Sequence, residues 1–356
     1  MSMHAIIRTT IVAPLIRLRV RRVLPIAGEV ITGIGQTVTP MQTVARATQY
    51  TRYRILPLSD LLQIPPAELA NALMVHAGDR VKQGMMLVDK KGFLGRRQQY
   101  QSPLDGEVYE IRNGRLILRQ MSEIIELRAL VAGRVVEHIA SDGVVLETFG
   151  SLIQAAWSTD DEDAGLLKVM ASAPDSLFFP EQITTEANSA ILAVGWFDQL
   201  KVLERARDMG VRGIITGSLP AHIGRMASLI DLPVFVTDGI GSQGMSAPVF
   251  ELLQAADGRR TALLGKKSGV RTDRPQIVIQ ADKKTTTDPR SAAEPLAVGQ
   301  VVRLLRQPYL NQMATVTHLY NLAQLTASGV KAHGADVRLE NGKVVFVPYA
   351  NMEAII

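Results

Sequence analysis

The hydrophobic period of this 356-residue chain changes near residue 166, and that change restricts what it can fold into. Downstream, SAILAVGW (189–196) is a short apolar run of buried-strand type, and FDQLKVLERARDMG (197–210) follows with apolar residues on one helical face and a terminal Gly. The alternation continues through VRGIITGS, LPAHIGRMASLI, LPVFVTDG, MSAPVFELLQAADG and RRTALLG. Short apolar runs alternating with one-faced helices predict βαβ units on a parallel sheet.

Upstream, residues 15–165 predict an all-β region of short Val- and Ile-rich runs punctuated by Gly about every ten residues. A loose repeat recurs as Gly28-Glu-Val30, Gly78-Asp-x-Val81, Gly106-Glu-Val108 and Gly133-Arg-Val135. One helix interrupts at PPAELANALMV (65–75), with Pro at its start. LIRLRVRRV (15–23) alternates apolar and basic residues, as a half-buried or edge strand does. The final segment is again β-like, and Asn341-Gly342 marks a hairpin turn. The predicted fold is thus multidomain, α/β plus all-β. A β-rich region spans 1–165, a parallel α/β domain 166–280, a polar linker 281–295 and a small barrel 296–356.

Composition narrows the chemistry. Hydrophobic residues make up 47% but aromatics only 5%, so the cores must be built mainly from aliphatic side chains. With no Cys, disulfides, thiolate nucleophiles, zinc ribbons and Cys-ligated clusters are excluded. A net charge of +5 permits anionic partners without the dense basic patch of a dedicated nucleic-acid binder. The N-terminal uncharged run TTIVAPLI, between Arg8 and Arg17, is too short to span a bilayer and predicts no membrane segment. Arg17, Arg19, Arg21 and Arg22 form the one group suited to a membrane surface, and the expectation is a cytoplasmic protein.

Gly78-Asp79-x-Val81-x-x-Gly84, followed by Ser102-Pro103-x-Asp105-Gly106-x-Val108, resembles the biotinyl/lipoyl-like barrel, or barrel-sandwich hybrid. In carriers of that family a Lys at the hairpin tip holds the cofactor. Here the corresponding place falls at Leu94 and Gly95, so the resemblance implies a scaffold with neither lipoyl nor biotin attached. Lys90, Lys91, Arg96 and Arg97 crown this hairpin and are candidates for touching a partner protein. At the other end, Gly299-Gln-Val-Val-Arg303, Pro308-Tyr309, Ala314-Thr-Val316, Ala335–Gly342 and Val347–Asn351 resemble a KOW or SH3-like barrel. That resemblance implies contact with RNA or protein through loop residues such as Arg303, Arg306, Tyr309, Lys331 and Arg338.

The α/β region carries the only candidate ligand motif. Gly239-x-Gly241-x-x-Gly244 lies between a predicted strand and a predicted helix, the context in which backbone N–H groups cradle a phosphate. Gly217 and Ser218 end the preceding strand, and in a parallel sheet both turns, with Asp238, emerge at the carboxyl edge where α/β ligands bind. No acidic residue follows the next strand. Gly265, Lys266 and Lys267 stand there, which suits an anion better than a ribose hydroxyl. The six histidines lack metal-ligand spacing, Asp160–Asp163 reads as a solvated acidic loop, and no catalytic motif stands out. The expectation is a non-enzymatic scaffold or adaptor that binds protein partners through its β surfaces. The alternatives are RNA or transcription-complex binding through the C-terminal barrel, and a nucleotide-binding subunit of an enzyme or redox complex.

Overall fold

The computed structural model describes residues 7–91, 97–265, 274–282, 285, 295–326 and 328–356. The chain is mostly strand and forms two compact units. The first comprises residues 1–25, 30–45 and 127–356; the second comprises 26–29 and 46–126.

The first unit opens with β1 (Arg8–Thr10) and the twelve-residue β2 (Val12–Val23). The alternation seen in LIRLRVRRV places Ile16, Leu18, Val20 and Arg22 inward. Arg22 is thereby removed from any basic surface. It donates to the Glu162 carboxylate at 2.9 Å and to the Arg128 carbonyl at 3.0 Å. Glu162 belongs to the acidic run expected to be a solvated loop, and its side chain is only 10% exposed.

The second unit contains most of β3 (Thr43–Leu56), then α1 (Leu58–Leu62), α2 (Pro66–Ala72), β4 (Arg80–Val81), β5 (Met86–Lys91), β6 (Arg97–Gln101), β7 (Gly106–Arg112) and most of β8 (Arg115–Arg128). Pro66 opens α2, where its missing N–H costs nothing. Strands order as Glu29–Val30, β3, β8, β7, β4 in one sheet, and β5 pairs with β6 as a separate hairpin. Both Gly motifs act as turns that zip β4 to β7. Val81 faces Gly106 in the register, and the Gly78 N–H donates to the Val108 carbonyl. Leu58, Leu69, Leu87, Leu116 and Leu118 form the centre of this unit's aliphatic core.

Back in the first unit, β9 (Gly133–Ile139) pairs with β10 (Gly143–Gln154), which also takes β2 along nearly its whole length. β11 (Asp163–Val169), β12 (Ala190–Trp196), β13 (Gly213–Leu219) and β14 (Val234–Ile240) follow, each parallel to the next. The helices α3 (Lys201–Asp208) and α4 (Ala221–Ala227) cover one face of these strands, and α5 (Ala247–Ala255) covers the other. The βαβ expectation therefore holds for three of its four strands, β12, β13 and β14. It ends at RRTALLG, because β15 (Arg260–Leu264) lies antiparallel to β11. β16 (Gln276–Gln280) joins β15 to β10, so the α/β layer and the all-β strands share one eleven-stranded sheet. The pattern break near 166 falls inside β11.

The chain closes with β17 (Val301–Leu304), β18 (Met313–Leu319), β19 (Gly334–Leu339), β20 (Val344–Pro348) and β21 (Met352–Ile355). Their sheet runs β1-β21-β17-β18-β19-β20. The Asn341-Gly342 turn joins β19 to β20, with Gly342 at φ +84°, a left-handed conformation that glycine adopts without steric cost. Among the described residues no sheet closes into a barrel, and no helix is long and apolar enough to cross a membrane.

Candidate functional site

The site grows from the carboxyl end of β14. Thr237 and Asp238 end its buried stretch, and Gly239 turns the chain at φ +114° with open space where a Cβ would stand. The other end of the glycine motif is closed. A Cβ on Gly244 would come within 2.2 Å of the Pro174 carbonyl oxygen, and one on Gly217 within 2.4 Å of the Met245 nitrogen. These glycines are needed because backbone packs directly on backbone.

The donors that a phosphate cradle would offer are largely in use. The N–H of Gly241 donates to the Leu219 carbonyl at 3.1 Å and that of Met245 to the Pro174 carbonyl at 2.8 Å. Ser218, fully buried, accepts from the Gln243 N–H at 2.6 Å and donates to the Gln243 carbonyl at 2.5 Å. Asn311 donates from Nδ2 to the Gly244 carbonyl at 3.1 Å. The turn from Gly217 and Ser218 to Gly244 is thus a packed joint, and only its Gly239 end faces open space.

What stands beside Gly239 is an ion network. Asp238, its side chain fully buried, pairs with Arg303 of β17, whose side chain is 4% exposed. The second arm of Arg303 reaches Glu353 of β21 at 2.5 Å. Glu353 also accepts from Thr10 and, at 2.9 Å, from Arg274. Burial works against the charged guanidinium, but Asp238 and Glu353 outweigh it and hold Arg303 above its ordinary pKa. Burial likewise opposes the Glu353 carboxylate. The Arg303 charge and the bonds from Thr10 and Arg274 nonetheless keep its pKa below the usual range.

This network forms one wall of a cleft of about 860 Å³. Four guanidinium groups line it, those of Arg8, Arg274, Arg303 and Arg306, against the two carboxylates Asp238 and Glu353. Arg303 and Arg274 are bound to those carboxylates. Arg8 and Arg306 are exposed and have no carboxylate partner among the described residues. The cleft is therefore net positive and lies at the carboxyl edge of a parallel strand, the edge where such sheets bind ligands. Gln243 and Tyr349 add polar groups to it, while Ile240 and Leu310 add apolar surface.

The sequence singled out Asp238 as a ligand residue and Arg303 as a partner-binding one; the fold joins them in one buried pair. Arg303 is an internal cation, not a loop residue offered to a partner. Arg306 is exposed at the cleft, Tyr309 packs against the C-terminal core, and Arg338 lies exposed on β19. On the β5–β6 hairpin, Lys90 pairs with Glu68 and Arg97 holds both oxygens of Asp89, leaving Lys91 exposed. Arg96, like Leu94, Gly95, Lys266 and Lys267, lies outside the described residues. Sequence reasoning missed Arg8, Arg274 and Glu353, for which no local signal exists: Arg8 stands opposite Glu353 because β1 pairs with β21, and Arg274 reaches Glu353 from the segment before β16. Among the described residues no group of His, Asp and Glu is arranged to hold a metal. No protein-family model matches this sequence, and no curated protein sequence matches it.

Proposed function

We propose that this protein is a non-enzymatic binding protein, a scaffold or adaptor in a larger assembly, that takes an anionic group into the arginine-lined cleft beside Gly239. The carrying observation is the pair of uncommitted guanidinium groups, Arg8 and Arg306, next to a third whose charge is fixed by Asp238 and Glu353. A surplus of guanidinium groups over carboxylates in a cleft gives a local positive potential that attracts an anion. The engaged N–H groups of the glycine turn favour an anion held by side chains over a dinucleotide held by backbone.

The scaffold part of the reading draws on the two resemblances. The strand order β21-β17-β18-β19-β20, with a 3₁₀ turn at Tyr349–Asn351 before the last strand, supports an SH3-like arrangement of the C-terminal segment. The paired Gly turns that zip β4 to β7 support a barrel-sandwich relation for the second unit.

The test is thermal unfolding of the full chain with pyrophosphate or ADP at low ionic strength. A ligand that binds the folded state raises Tm with concentration. The rise is expected for the parent and is lost in Arg306→Glu, whose exposed position leaves the fold intact. If neither anion moves Tm at millimolar concentration, the cleft reading fails.

A further inference from the structure

The C-terminal segment leaves one sheet edge uncovered. β20 ends the order β1-β21-β17-β18-β19-β20 and pairs on one side only, with β19. Its residues, Val344-Val345-Phe346-Val347-Pro348, include no charged or polar side chain. Elsewhere the strands at sheet edges are two residues long or carry charge: Arg8 on β1, Arg17, Arg19 and Arg21 on β2, Lys90 and Lys91 on β5, Arg97 on β6. Short length and charge are what keep an open edge from pairing with another chain. Among the described residues, β20 is the one edge longer than two residues that carries no charge.

The register fixes which backbone groups face that open side. The Leu339 N–H donates to the Lys343 carbonyl at 2.9 Å and the Tyr349 N–H to the His333 carbonyl at 3.0 Å, so the odd-numbered residues of β20 bond to β19. Val344 and Phe346 therefore turn their N–H and C=O groups outward, and no backbone group bonds to them among the described residues. Pro348 has no N–H and ends the row of donors. The Val344 side chain is 47% exposed, and Phe346 is half-buried beside Tyr320, their ring centroids 5.8 Å apart. This row is complementary to itself. A second β20 laid antiparallel about a two-fold axis through Val345 sets Val344 opposite Phe346 of the second copy, and Phe346 opposite its Val344. The two outward N–H groups of each copy then meet the outward carbonyls of the other. Each exposed Val faces a Phe, the aromatic and β-branched pairing that stabilises cross-strand positions. Lys343 falls opposite Val347, so no like charges meet.

We propose that β20 is a dimerisation edge, through which two copies of this chain join their C-terminal sheets into one continuous sheet. The contact is short, so the dimer is weak and forms as concentration rises.

The experiment is sedimentation velocity of the full chain from micromolar to submillimolar protein, where a monomer–dimer equilibrium is expected. Val344→Pro removes an N–H that points away from β19, so the monomer loses no hydrogen bond and keeps its Tm. The dimer loses one bond from each copy, and its dissociation constant should rise about tenfold or more. Val344→Lys leaves the backbone intact and places a charge on the exposed edge, with the same loss expected. Hydrogen exchange supplies the second readout. The amides of Val344 and Phe346 should exchange fast in dilute protein and slow down as the dimer forms, while those of Val345 and Val347 stay protected throughout. A chain that remains monomeric at every concentration would overturn the proposal and leave the edge to a strand of another protein. A dimer that both variants retain would overturn it too, as would dimerisation that leaves exchange at Val344 and Phe346 unchanged.

Discussion

Arg303 and Arg119 are each held by carboxylates, yet they do opposite work. Arg303 is 4% exposed and spans two buried acids from two sheets of the first unit. Arg119 is 25% exposed, has one acid, and spends the rest of its surface on tyrosine rings of the second unit. A cation out of water must be neutralised completely, so its geometry is dictated by its partners and it can serve only as a joint. A cation at the surface keeps water as an alternative, so the fold gains little from its ion pair. The contrast separates the charge on which this fold depends from a charge it could lose.

Replacing the buried cation should give the largest effect. Arg303→Met leaves the buried Asp238 without its counter-charge and Glu353 with Arg274 alone, and is expected to cost about 3–5 kcal/mol in urea unfolding. A loss below about 1 kcal/mol would mean that the pair is not desolvated and that the distinction is wrong. Next comes the backbone joint beside it. Gly244→Ala puts a Cβ against Pro174 and Asp175, both backbone, and should cost about 1–3 kcal/mol while leaving the tyrosine rings around Arg119 unaltered.

Acid sharpens the comparison further. The folded pKa of Glu353 is depressed, so its ion pair contributes fully above the ordinary carboxylate pKa of about 4.3. That contribution is lost as pH falls through the lower folded value. The stability gap between the parent and Glu353→Gln should thus be constant near neutrality and shrink below about pH 4. A gap independent of pH would show that Glu353 acts by packing alone. The smallest effect belongs to the surface: Glu107→Gln should change stability by less than about 1 kcal/mol, since solvent screens its pair with Arg119. It should instead loosen the tyrosine cluster, read as a change in tyrosine fluorescence.

Local patterns made much of the fold readable. The change of period near 166 announced β12, β13, β14 and the helices between them, because a 3.6-residue stripe and a short apolar run each have one way to bury themselves. Asn341-Gly342 marked its hairpin, Pro66 its helix start, and LIRLRVRRV its alternating burial. The site was legible only in fragments. Asp238, Gly239 and Arg306 drew notice for their residue types, but Arg303 was given a surface role, and nothing marked Arg8, Arg274 or Glu353. The grouping of Tyr50, Tyr53, Tyr109 and Arg119 went unnoticed because the four lie on three strands with no common spacing.

By itself, then, the sequence determined which segments are strands and helices and which faces are apolar, since those follow from contacts within a few residues. The tertiary structure decided the direction of β15, the insertion of β1 beside β21 and the meeting of Asp238 with Arg303 across 65 positions. Such pairings depend on which sheet edge is left open once the local elements have packed, and on a buried charge finding its counter-charge there. Neither condition leaves a mark in any short stretch of chain.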